Sequence, residues 1–87
     1  MHVLLTLDLN YLKDSTKRTK FYEELANRQW KKFRNETTTW RASFKPGATA
    51  DGCIRATKTD VADAAAAAGI TRWDAVCHVG DNEPTEF

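Results

Sequence analysis

Apolar side chains at Val3, Leu5, Leu7 and Leu9 alternate with Leu4, Thr6 and Asp8. A period of two is the mark of a β-strand that buries one face and shows the other. A lone strand has nothing to bury that face against, so the chain must supply further strands and a layer to lie on them. Its 87 residues allow one core only, since a chain of this size removes only about 60–65% of its unfolded surface from water. A single domain over 1–80, with 81–87 as an exposed acidic C-terminal tail broken by Pro84, is the expectation.

Beyond the first strand, β1 (Val3 to Leu9), Asn10 to Ser15 is polar, and Asp14 or Ser15 can accept hydrogen bonds from the backbone N–H groups that open a helix. Thr16 to about Gln29 predicts α1, with Phe21, Tyr22, Leu25 and Ala26 on one face and Lys20, Glu24 and Arg28 at four-residue spacing on another. Trp30 to Phe33, the turn-like Arg34-Asn35-Glu36, and the β-branched and aromatic run Thr37 to Phe44 predict a hairpin, β2 and β3. Lys45-Pro46-Gly47 ends it, because proline donates no ladder hydrogen bond. Ala48 to Arg55 fits loop, strand or helix. Thr57 and Asp60 have capping-box spacing, so α2 is expected over Thr59 to Ala68, with Val61, Ala64, Ala65 and Ala68 inward and Gly69 closing it. Arg72 to Val79 alternates again and predicts β4.

The order β-α-β-β-α-β in so short a chain implies the ferredoxin-like plait, an α+β fold of four antiparallel strands with two helices on one face. The expected strand order is β4-β1-β3-β2. The inner face then takes Val3, Leu5, Leu7, Leu9, Trp40, Ala42, Phe44, Ala75, Cys77 and Val79. The open face takes Leu4, Thr6, Asp8, Thr39, Arg41, Ser43, Asp74, Val76 and His78, with Trp30 beside them. A mixed face of this kind suits a ligand or a second copy.

The formal charge of +1 argues against a general polyanion binder, yet it hides an asymmetry: Met1 to Lys45 carries 10 Lys/Arg and 5 Asp/Glu, and Pro46 to Phe87 carries 3 and 7. Lys17, Arg18, Lys31, Lys32, Arg34 and Arg41, with Trp30 and Trp40 among them, are the candidate RNA-binding residues, cations for phosphates beside rings for unpaired bases. Asp8 ends an apolar strand, and the topology brings Thr37, Thr38, Thr39 and Asp74 near it. Asp8 and Asp74 are thus candidate ligands of a hard cation such as magnesium. Cys77 and His78 are adjacent on a strand and point to opposite faces. With His2 and Cys53 they make no zinc spacing, and neither phosphate-loop nor dinucleotide glycine motif occurs. The two cysteines are expected to be reduced thiols. The apolar start is interrupted by Thr6 and Asp8, so the chain is expected to have no membrane span and to be cytoplasmic.

Val3-Leu4-Leu5-Thr6-Leu7-Asp8-Leu9-Asn10, then a basic helix, then Thr37-Thr38-Thr39-Trp40-Arg41-Ala42-Ser43-Phe44, resembles the small ferredoxin-like superfamily of VapD toxins, GhoS antitoxins and CRISPR-associated dimeric nuclease-like subunits. The resemblance covers the first half of the chain and the general order of the second; the alanine-rich α2 and the acidic tail lie outside it. It implies a homodimer, an association with mobile elements or bacterial defence, and metal-dependent RNA cleavage with Asp8 as the catalytic carboxylate. The alternative is a non-catalytic interaction module of a phage or other mobile element, binding a host or cognate protein through its dipolar surface.

Overall fold

The computed structural model describes residues 1–9, 13–34 and 38–87. The elements run β1 (His2–Asp8), α1 (Ser15–Asn27), β2 (Lys31–Lys32), β3 (Thr39–Ser43), α2 (Ala50–Ala68) and β4 (Asp74–Gly80). One antiparallel sheet has the order β2-β3-β1-β4, and the order of the elements with two helices makes it the ferredoxin-like plait. Asn35 to Thr37, within the expected turn and the start of β3, and Asn10 lie outside the described residues.

Local chemistry explains each boundary. Asp14 caps α1, its Oδ1 accepting from the N–H of Thr16 at 2.9 Å and of Lys17 at 3.3 Å. At the other end Gln29 takes φ +71°, and the N–H of Trp30 bonds to the Leu25 carbonyl at 3.1 Å, a Schellman closure that reverses the chain into β2. This reversal corrects the placing of Trp30 on the open face. Its side chain is buried in the core, and its Nε1 donates to Asp60 Oδ2 at 2.9 Å. β2 is only two residues long because the turn consumes Trp30, and the pairing with β3 ends with the bond from the Phe33 N–H to the Thr39 carbonyl.

The larger correction concerns α2, which begins at Ala50 and is capped by Thr49, whose hydroxyl accepts from the N–H of Gly52 at 3.0 Å. Thr57 and Asp60 cap nothing. Thr57 is buried in mid-helix and returns its hydroxyl to the Cys53 carbonyl at 2.8 Å, while Asp60 serves Trp30. Ala48 to Arg55, open to three readings in the sequence, is thus mostly the first turns of α2, and Cys53 sits wholly inside the core. Gly69 ends the helix in the left-handed region at φ +73°.

Val3, Leu5, Leu7 and Leu9 meet Phe21, Leu25, Trp40, Cys53, Val61, Ala64, Ala65, Ala68 and Ile70 in one buried cluster. The alanines let α2 lie close to α1 and the sheet. Ala26, expected inward, is exposed, because the α1 stripe that meets the core is narrower and centred on Phe21 and Leu25. On β4 the alternation holds in direction but not in depth: Ala75 is exposed, and Cys77 and Val79 are only partly covered, because α2 packs against this strand with a groove left open between Thr57 and Val61 on one side and Ala75 and Cys77 on the other.

Leu7→Ala is expected to lower the unfolding free energy by about 2–5 kcal/mol, the range for truncating a buried leucine. Thr49→Ala is expected to cost about 1 kcal/mol as a lost helix cap, and Thr59→Ala, at an exposed helical position, within about 0.5 kcal/mol. Urea denaturation followed by circular dichroism measures all three; a larger loss at Thr59 than at Thr49 would contradict the observed start of α2.

Candidate nucleic-acid interface

The open face is ordered by register. Arg41 pairs with Lys31 on one side and Leu4 on the other, and Leu4 pairs with His78, giving one row across all four strands. The next row holds Thr39, Thr6 and Val76, and Phe33 joins it because its N–H bonds to the Thr39 carbonyl at 3.1 Å. His2 and Ser43 face each other in the row on the other side, His2 Nδ1 lying 2.9 Å from Ser43 Oγ. At the far end Asp8 stands opposite Asp74. The face is therefore basic along the Lys31 row and acidic at the Asp8 row.

Arg41 is the centre of the basic end. Its guanidinium lies 5.5 Å from the centroid of the Phe33 ring, within the range of a cation–π contact. Its Nη1 donates to Glu83 Oε1 at 2.8 Å. The tail is thus exposed, as expected, but not detached: it lies over the open face, with Pro84 half-buried and a cavity of about 590 Å³ between it and Leu4, Phe33 and Thr39. Phe87 is fully exposed. A smaller cleft of about 230 Å³ is lined by Gln29, Lys31, Arg41, Ala42, Ser43 and Glu83.

The six cations expected to act as one patch are divided. Lys31 and Arg41 share the open face. Lys32, one residue on, turns to the helical side and lies 5.8 Å from the centroid of the Tyr22 ring. Lys17 and Arg18 are in the first turns of α1, with Lys17 beside Gly69 at the C-terminal end of α2, where the helix dipole favours a cation. Arg34 is exposed after β2. Neither Trp30 nor Trp40 is available to stack on a base, both being buried. With Phe87 of the tail lining the same cavity, the strand-side ring described on this face is Phe33, 6% exposed beneath Arg41. Its two-residue step from Lys31 carries that signal in the sequence, whereas Glu83 and His2 have none.

Asp8 and Asp74 are brought together as the topology required. Leu7 donates its N–H to the Thr38 carbonyl at 2.9 Å, so the β3 entry is close to this end, while Thr37 lies outside the described residues. Asp8 and Arg41 do not share a site. Arg41 is opposite Leu4, four residues from Asp8 along β1, a separation of about 13 Å at the rise of a strand, and Lys32 is on the other face. Among the described residues no group of three or more His, Cys, Asp or Glu stands ready for a metal. Two opposed carboxylates still fit the way magnesium is held, by one or two carboxylates with waters completing the shell. Cys53 and Cys77 are free thiols.

Ion pairing on α1 follows the expected ladder: Glu24 takes Lys20 Nζ at 3.0 Å and Arg28 Nη1 at 2.6 Å. The hydrogen bond from Arg28, then that from Lys20, holds the Glu24 carboxyl below the usual range, and Lys20 and Arg28 are raised in turn, first by their hydrogen bonds to Glu24. Tyr22 is raised by burial.

Comparison with family models, with curated proteins and with solved structures finds no match to this chain. Among the described residues no helix is long and apolar enough to cross a membrane.

Because Glu24 has a lower pKa folded than unfolded, its contribution to stability is complete above the unfolded value of roughly 4.3 and is lost as pH falls through the folded one. Glu24→Gln is therefore expected to flatten the acid limb of a stability profile and leave its slope above pH 6 unchanged, as read by thermal melts across pH about 2–7.

Proposed function

We propose that this protein is a small nucleic-acid-associated module that binds single-stranded RNA along the Lys31, Arg41 and His78 row of the open sheet face, and that it works as a homodimer. The observation that carries the reading is the seat at Arg41. The chain's own carboxylate, Glu83, already occupies it at 2.8 Å, so the row accepts an anion there, and Lys31 directly across the ladder supplies a second positive charge. Phosphate oxygens bring the same charge and acceptor geometry as that carboxylate. Ser43 and His2 next to the row offer hydrogen bonds to sugar and base edges. The Arg41–Glu83 pair is solvent-exposed on both sides, 37% and 61%, and exposed pairs are weakly held, so an incoming phosphate displaces Glu83 at small cost.

A labelled single-stranded RNA of mixed sequence, followed by fluorescence anisotropy at low salt, tests this. Arg41→Glu is expected to weaken binding by about tenfold or more, and Arg41→Ala to reduce the slope of log affinity against log salt by about 1. Glu83→Gln is expected to tighten binding severalfold by freeing Arg41. Failure of the unmutated protein to bind RNA, together with capture of an acidic protein segment at the same row, would favour the interaction-module reading, with a host or cognate protein as partner.

A second reading rests on the direct opposition of Asp8 and Asp74. Held there, magnesium would supply the charge that lets a phosphodiester be attacked, the two carboxylates being its protein ligands. Asp8→Asn preserves size and removes the charge a hard cation needs. It is expected to abolish magnesium-dependent RNA cleavage while leaving anisotropy binding at Arg41 in place. No cleavage of single- or double-stranded substrates by the unmutated protein would leave the binding module alone.

A further inference from the structure

The two edges of the sheet are built differently. β2 is two residues long, Lys31-Lys32, both exposed, and a short lysine-bearing edge does not invite pairing. β4 spans seven residues, Asp74–Gly80, pairs among the described residues only with β1, and has no Lys, Arg or Pro. Val76 on it is 72% exposed. Beside it, on the helical side, lies a mainly apolar cavity of about 180 Å³ between Trp73, Ala75 and Cys77 on one wall and Thr57, Lys58 and Val61 of α2 on the other, with Leu5 at its base. A long edge without charge on its inner side, next to an unfilled apolar groove, is a template for another strand.

We infer that the strand it receives is β4 of a second copy, antiparallel, with the two-fold axis through Cys77. This rests on the homodimer reading above and says where the two copies meet. The charges flanking β4 set the direction. Arg72 precedes the strand and Asp81 follows it. Antiparallel pairing about Cys77 brings the Arg72 end of one strand against the Asp81 end of the partner's, whereas parallel pairing would set Asp74 against Asp74 and Asp81 against Asp81. The side chains also match. On the helical side the partner's Val79 comes opposite Ala75, the smallest side chain of the strand, at the mouth of the groove. On the open face the partner's His78 comes over the exposed Val76, and Asp74 meets Gly80, which has no side chain. The axis is perpendicular to the sheet, so both open faces lie on one side of a continuous eight-stranded sheet and both helical layers on the other. The two Arg41 rows then form one surface, and the α2 helices of both copies, each packed against its own β4, flank the seam on the other side.

The native thiols give the test. A short bismaleimide is added to the full-length protein at tens of micromolar, with sedimentation run on the same samples. The expected result is a species of two chains, joined through Cys77. Cross-linking should be lost in Cys77→Ser and kept in Cys53→Ala, because Cys53 is fully buried and lies in α2. Val76→Lys, at an exposed site that the fold tolerates, is expected to give a folded monomer by circular dichroism and sedimentation. A monomeric unmutated protein overturns both the homodimer reading and this one. A dimer that resists cross-linking at Cys77 and is indifferent to Val76→Lys overturns β4 pairing and leaves the homodimer standing on another surface. Arg41→Glu, which lies on the far side of β1 from this edge, separates the RNA reading from both, being expected to lose RNA binding and keep the dimer.

Discussion

β1 holds antiparallel neighbours on both sides along nearly its whole length, β3 from His2 to Thr6 and β4 from His2 to Asp8. Its inner side chains, Val3, Leu5 and Leu7, are almost completely removed from water. A strand held this way has no freedom to slip, because a shift of one residue would turn the leucines to solvent and Thr6 and Asp8 into the core. Every functional placement follows from that register. Leu4 brings Arg41 and His78 into one row, and Asp8 meets Asp74 only because Leu5 is locked against Trp40 and Cys77.

The helices are fastened by a second, polar constraint. Trp30 enters the core from the end of α1 and spends its N–H on Asp60 of α2, and Arg28, held by Glu24, feels Asp60 and Asp63 across the same helix pair. Asp60 is thereby a tertiary acceptor in mid-helix. The small side chains of Ala64, Ala65 and Ala68 allow the approach, while on the flank of α2 toward β4 Thr57, Lys58 and Val61 leave a groove open beside Ala75.

Charge is distributed as a consequence of pleat as much as of sequence. Lys31 and Lys32 are neighbours in the chain, yet one joins Arg41 on the open face and the other, also exposed, turns to the helical side near Tyr22. The acidic tail then crosses toward the basic row and Glu83 reaches Arg41, so the dipolar halves of the chain meet on one face rather than occupying opposite poles.

The period of two in Val3 to Leu9, the cap at Asp14, the ion-pair spacing of Lys20, Glu24 and Arg28, and glycine at position 69 are local signals with a single physical reading. They suffice for the element order, the plait and the meeting of Asp8 with Asp74. The extent of α2 was not legible, because Thr49 and Thr57 are both competent caps and only the burial of Thr57 and Cys53 decides between them. Trp30 was misplaced for a similar reason: its environment is set by a left-handed residue at Gln29 and by an acceptor thirty positions away, Asp60. Sequence by itself determined which residues alternate, cap and repel. Only the tertiary structure decided which of the six candidate cations share a face and what lies on them, because cross-strand register and the return of the tail join residues that no spacing in the chain relates.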